Sequence, residues 1–239
     1  MALYREHGVV LRTHKLGEAD RIVVLLTAGR GKVRAVAKGV RKTKSRFGSR
    51  LEPPTHVSLL LYEGRQLATV TQAEAVDHFR PIRDDLDRMT DALVLLEAVD
   101  QVAQEGEADP QLYRMLVGAL RTLAEQASPL LVAGFYWKLL GVQGVAPILD
   151  RCARCGAGPG GDLVAFDPVE GGALCRACRR GPAVTPEALA VIRAILGGDL
   201  RTALTLPAGP VTAEVSDLAV LTLEAHLERR LRAVRLLHR

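Results

Sequence analysis

Aromatic residues make up only 4% of this 239-residue chain, and it holds just four cysteines. So few aromatic faces exclude a mechanism built chiefly on base stacking, and four clustered thiols are too few for the disulfide framework of a secreted scaffold. No segment approaches the roughly 18 consecutive apolar residues that a membrane-spanning helix needs. The opening Met1-Ala2-Leu3-Tyr4-Arg5-Glu6-His7 lacks the apolar stretch of a signal peptide, so a cytoplasmic protein with no membrane association is expected. The catalytic signatures H-E-x-x-H, G-x-S-x-G and the phosphate-binding Walker A sequence are missing, and the six histidines are scattered. Gly156-Ala157-Gly158-Pro159-Gly160-Gly161 matches a dinucleotide-loop pattern only formally, since it contains proline and follows no strand entering a helix. A binding protein is expected, not an enzyme.

What the chain does have is charge asymmetry. Its net charge is +5, yet residues 1–80 hold fifteen Lys or Arg against seven Asp or Glu, which is +8 and leaves −3 on the remaining 159 residues. A cationic N-terminal surface facing a polyanion accounts for that split. Arginine outnumbers lysine 26 to 6, which favours planar, bidentate phosphate contacts.

Hydrophobic periodicity divides the chain near residue 80. Before it, short β-branched runs alternate: Gly8–Leu11, Arg21–Leu26, Lys32–Ala37, Val57–Tyr62 and Leu67–Val70. In the third, Val33, Ala35 and Ala37 share one face, while Lys32, Arg34, Val36 and Lys38 share the other. Five short strands with glycine turns and no helical crossover predict a small antiparallel barrel over residues 1–80. An OB-fold leads, with an SH3-like barrel as the alternative. From 81 to 239 the period becomes helical, with helices expected over Asp87–Gln104, Gln111–Gln126, Pro129–Leu140, from Thr185-Pro186 to Gly197, and over Ser216–Leu237. The last is expected to bury a stripe of Val220, Leu223, Leu227, Leu231 and Val234.

Within the helical part, residues 150–182 carry the four cysteines. Cys152 and Cys155, then Cys175 and Cys178, form two C-x2-C knuckles separated by 19 residues, a zinc-ribbon spacing. Two knuckles complete a closed tetrahedral site with no open position for water, so a structural Zn²⁺ is expected. Arg151, Arg154, Arg176, Arg179 and Arg180 surround it; Arg176, Arg179 and Arg180 are candidates for additional DNA contacts.

Arg30, Lys32, Arg34, Lys38, Arg41, Lys42, Lys44, Arg46 and Arg50 form a run of nine cations with no acidic residue among them. An ordinary surface intersperses both signs. Residues 38–46 fall between the third and fourth strands, so an exposed loop is expected there, one that would track a phosphate backbone with little regard for base sequence.

In order along the chain, several segments resemble the RecO family of bacterial DNA-repair proteins. They are Gly8-Val9-Val10-Leu11 with Leu16-Gly17-Glu18-Ala19-Asp20-Arg21, then Lys38-Gly39-Val40-Arg41, Ser45-Arg46 with Leu51-Glu52-Pro53, Thr71-Gln72-Ala73-Glu74 and the cysteine quartet. The resemblance covers essentially the whole chain. It implies an α+β multidomain architecture: an N-terminal OB-fold β-barrel, then a helical domain with an inserted zinc element. It also implies a recombination mediator of the RecFOR pathway that binds single- and double-stranded DNA and anneals complementary strands. The implied partners are RecR, the C-terminal tail of SSB and, indirectly, RecA. Lys38, Arg41, Lys42, Lys44 and Arg46 match the family's basic loop. A zinc-ribbon factor acting on RNA or the transcription machinery is the alternative.

Overall fold

The computed structural model describes residues 2–45, 47–158 and 162–236. Five strands, β1 (Leu3–Leu16), β2 (Asp20–Thr27), β3 (Gly31–Ala37), β4 (His56–Tyr62) and β5 (Ala68–Asp77), close a barrel in the order β1-β2-β3-β5-β4. The first strand is longer than its apolar centre predicted. An irregularity between Val10 and Arg12 lets its first half pair with β4, from Leu3↔Tyr62 to Val9↔His56, and its second half with β2, as far as Leu16↔Asp20. One bent strand shared by two neighbours, with the parallel pairing of β3 and β5 closing the circuit, is the OB arrangement.

Closure between β3 and β5 is short. Among the described residues only Ala35↔Ala68 and Val36↔Thr69 pair, so on that side β5 has no described strand beside it from Val70 onward. The opening is plugged from within by Phe47 and by Leu51 of a 3-10 turn (Gly48–Leu51), both buried with Val10, Val23, Leu25, Ala35, Leu59, Leu61 and Val70 in the barrel core. Burying these side chains supplies the main driving force for closing the barrel.

The chain forms two compact units. The first comprises residues 1–126 and 235–239. It contains the barrel, a short helical turn α1 (Arg80–Arg83), α2 (Leu86–Val102) and α3 (Pro110–Glu125). Asp85 caps α2 by accepting from the backbone N–H groups of Asp87 and Arg88, and Asp109 caps α3 ahead of Pro110 at the first helical position. The connection between these helices lies against the start of β3. Gly31 has φ +62°, and a Cβ there would fall 1.9 Å from the carbonyl oxygen of Glu107, so only glycine allows the approach.

The second unit, residues 127–234, contains α4 (Leu131–Val142), the hairpin β6 (Leu163–Asp167) and β7 (Gly172–Cys175), α5 (Pro186–Leu196), a short turn α6 (Leu200–Ala203) and α7 (Pro210–His226). Trp137 on α4 is fully buried, donates Nε1–H to the carbonyl of Val215 and meets Phe166 edge-on at 6.1 Å. Thr185 caps α5 as predicted. The last helix corrects the sequence expectation of Ser216–Leu237. Pro210 at the first turn starts it six residues earlier, and it ends at His226, before Glu228 at φ +50°. The expected stripe therefore divides: Val220 and Leu223 are helical, whereas Leu231 and Val234 are buried beyond the helix end. No described helix is long and apolar enough to cross a membrane.

Candidate nucleic-acid interface and metal centre

A backbone ladder brings the two cysteine knuckles together. Ala173 N–H donates to Ile148 O at 2.9 Å, Ile148 N–H donates to Gly171 O at 2.9 Å, and Ala153 N–H donates to Ala173 O at 2.8 Å, which lays the first knuckle along β7. Gly172 is required at this crossing: its φ is +154°, and a Cβ would stand 2.1 Å from Ile148 O. Cys175 ends β7 and Cys178 lies in the 3-10 turn Arg176–Cys178.

As a result the Sγ atoms of Cys152, Cys155, Cys175 and Cys178 all lie within 4.8 Å of one another, with Cys155 and Cys175 3.8 Å apart. A tetrahedral ion with metal–sulfur bonds of ~2.3 Å would set its sulfurs about 3.8 Å apart, so the residues fit a four-thiolate metal site. The backbone prepares it for a cation. N–H groups of Cys155 and Cys175, then Arg154, aim at Cys152 and hold its thiol down at about 6. The hydrogen bond to the thiol of Cys155, followed by burial and the thiols of Cys175 and Cys152, pushes Cys178 up to about 12, because these contacts favour its protonated form. The nearby arginines are partly neutralised: Arg154 lies 3.9 Å from Glu170, Arg176 3.7 Å from Asp162 and Arg180 3.3 Å from the buried Asp167. Arg179 has no ion pair among the described residues.

The cationic run separates into two parts. Its strand part is engaged within the first unit. The Arg30 guanidinium sits 3.9 Å above the Tyr4 ring and 3.4 Å from Glu63. Lys32 donates to the backbone carbonyl of Asp100 at 2.7 Å and lies 3.6 Å from its carboxylate, which Arg12 also binds, at 2.5 Å. Arg34 lies 3.8 Å from Glu105.

The loop part has no such partners. Lys38, Arg41, Lys42 and Lys44 are exposed, and none has an ion pair among the described residues. The loop is held against the β1–β2 turn and the start of β2: Gly39 N–H donates to Asp20 Oδ1 at 2.7 Å, Arg41 N–H to Ala19 O at 2.9 Å and the Arg41 guanidinium to Gly17 O at 3.3 Å, while Ser45 N–H donates to Lys42 O at 2.9 Å within the loop. Arg46 falls outside the described residues. Arg50 is exposed at the end of the loop.

Sequence reasoning missed a cleft of about 380 Å³ beside this loop, lined by Phe47, Arg50, Thr71, Gln72, Ala73 and Glu74. The one available signal was the broken alternation of β5, in which Val70 and Ala73 are both buried. A register shift opposite Leu60/Leu61 takes up the extra residue.

The family model described as recombination protein O, N terminal, matches residues 1–79, and that of the C terminal matches residues 83–235. A DNA repair protein RecO from a Nocardioides species is 48% identical over 240 residues, covering 97% of this chain and 98% of that protein.

Proposed function

The chain belongs to the RecO family of DNA-repair and recombination proteins, and from that premise we propose that it binds single- and double-stranded DNA through the β3–β4 loop and anneals complementary strands. With RecR it would help load RecA on strands coated by SSB, whose C-terminal tail it would bind. The observation that carries the reading is the patch of four exposed loop cations, Lys38, Arg41, Lys42 and Lys44, without carboxylate partners among the described residues. Cations on a loop fixed by backbone contacts can hold two phosphate chains at once and screen their repulsion while bases pair. Arg50 is exposed beside the loop in the first unit, Arg46 is a further candidate from the sequence, and Arg176, Arg179 and Arg180 are candidate DNA contacts of the second unit. No covalent step is involved, so the protein acts as a mediator in the cytoplasm and not as an enzyme. The cysteine site takes Zn²⁺ in a closed four-sulfur set whose contribution is to hold the hairpin and its flanking turns in place.

The test is annealing of complementary fluorescent oligonucleotides coated with SSB, at low and moderate salt. Acceleration without nucleotide or Mg²⁺ is expected. Absence of annealing, combined with tighter binding to RNA than to DNA of equal length, would replace this reading with that of a zinc-ribbon RNA factor.

A further inference from the structure

The incomplete closure of the barrel leaves the cleft over Phe47 and Ala73, and its position along the chain gives it a use. Residues Lys38–Lys44 run directly into Phe47 and Arg50, so one connection supplies both the exposed cations and one wall of the cleft. Strand β5 supplies the other wall. The shift at Thr71 turns Val70 and Ala73 inward and leaves Gln72 and Glu74 exposed. Thr71 is held there by its hydroxyl, which donates to the carbonyl of Leu60 at 2.7 Å. A bulge that re-aims polar side chains beside a cleft is a common way to build a ligand contact.

We propose that this cleft is a subsite for one unpaired nucleobase of a bound single strand, read at its polar edge by Gln72 and Glu74. The proposal rests on the DNA-binding reading of the adjoining loop. At about 380 Å³ the cleft lies near the lower end of the roughly 300–1,000 Å³ typical of small-ligand sites. Its buried floor presents Phe47 and Ala73, and its rim presents an amide, a carboxylate and the Arg50 guanidinium. Phe47 is buried in the barrel core and offers no free ring face, so recognition is by hydrogen bonds and not by stacking. Gln72 offers a donor and an acceptor to any base. The carboxylate of Glu74 only accepts, and its negative charge would repel a phosphate, so it suits an exocyclic amino group. Cytosine, adenine and guanine carry such an amino group and thymine does not. The subsite therefore favours an amino-bearing base such as cytosine over thymine, while the loop holds the flanking phosphates without regard to sequence.

The experiment measures the binding of the full-length protein to equal-length oligo-dC, oligo-dT and abasic single strands, with the salt slope of each. Wild-type protein is expected to bind dC above dT and dT above abasic DNA, each step by about three- to tenfold, the range of one or two hydrogen bonds. Glu74→Gln should abolish the dC-to-dT ratio and Gln72→Ala should reduce the dT-to-abasic ratio, with salt slopes and melting temperature unchanged. Using ratios cancels the general gain in affinity from removing a negative charge. If the wild type bound intact and abasic strands equally with a steep salt slope, the subsite would be overturned and the loop reading would stand. Failure to bind any of the three strands would overturn both.

Discussion

Strand β3 and the loop that follows it carry cations at similar density, yet their surroundings differ. Arg30 in the turn just before β3 and Lys32 and Arg34 on it each lie near a carboxylate of the same unit, whereas Lys38, Arg41, Lys42 and Lys44 are exposed with no ion pair among the described residues. The reason is local. A strand in a closed barrel has a fixed outer face, and the end of α2 with the connection after it lies against that of β3, bringing Asp100 to Lys32 and Glu105 to Arg34, while Glu63 after β4 meets Arg30. A loop projecting from the barrel meets no such cover. Cations of similar spacing in the sequence thus divide into structural ones, already paired, and ones whose counterions are available for exchange with phosphate.

The largest expected effect tests whether the loop acts independently of the second unit. Removing metal by chelation, or changing Cys152 to Ser, should destabilise the second unit strongly, since structural zinc binding contributes on the order of 10 kcal/mol in isolated zinc modules. The salt slope of DNA binding should remain, because the loop belongs to the first unit. Calorimetry and elemental analysis check the first part: protein purified anaerobically with no zinc would defeat the four-cysteine assignment. A salt slope that collapsed together with the metal would place the principal phosphate contacts near Arg176, Arg179 and Arg180.

Next in size is the loop itself. Changing Lys38, Arg41, Lys42 and Lys44 together to Ala should flatten the salt slope on single-stranded DNA by about 3 and weaken binding on the order of a hundredfold at low salt, given about 0.7 per phosphate released. Because the four are exposed and none has an ion pair among the described residues, with Arg41 making one exposed hydrogen bond to Gly17 O at 3.3 Å, the melting temperature should move little. Unchanged affinity and slope would end the phosphate-contact reading.

Much of this was legible in the sequence, and the gaps have physical causes. Alternation in Lys32–Ala37 identified the buried and cationic faces of β3, Thr185-Pro186 identified the start of α5, and the C-x2-C spacing identified the thiol cluster. These are local signals, written within a few residues or in the pairing of two knuckles. Which cations would be neutralised was not legible, since Lys32 meets Asp100 across 68 residues and no periodicity records that encounter. The cleft was hidden likewise: it arises where two strands stop pairing, while the residues on either side still read as strand and loop. The last helix was misplaced because the apolar stripe continues through Leu231 and Val234 after the backbone has left the helix.

On the paired side of the comparison, Asp100 should matter for stability and not for DNA. It is 7% exposed and holds both Arg12 and Lys32. Asp100→Ala should cost about 2 kcal/mol, less than the 3–5 of a fully buried pair because Arg12 is itself half exposed. Urea unfolding checks the cost. A loss in DNA affinity at unchanged stability would move Asp100, and β3 with it, into the interface.

The smallest effect draws the boundary between the two parts most closely. Arg34 and Glu105 are both largely exposed and 3.8 Å apart, a pair worth about 0.5 kcal/mol or less, so Glu105→Gln should leave stability nearly unchanged. It also frees Arg34 four residues before Lys38. If the DNA path begins at the loop and passes close to the end of β3, the freed guanidinium should add part of one phosphate contact. The salt slope would then steepen by less than about 0.7, with roughly a twofold gain in affinity. An unchanged slope would confine the path to the loop even when strand charge is released. A gain comparable to the loss from the loop substitutions would erase the distinction, making Glu105 a competitor for a single continuous cationic surface that extends from β3 into the loop.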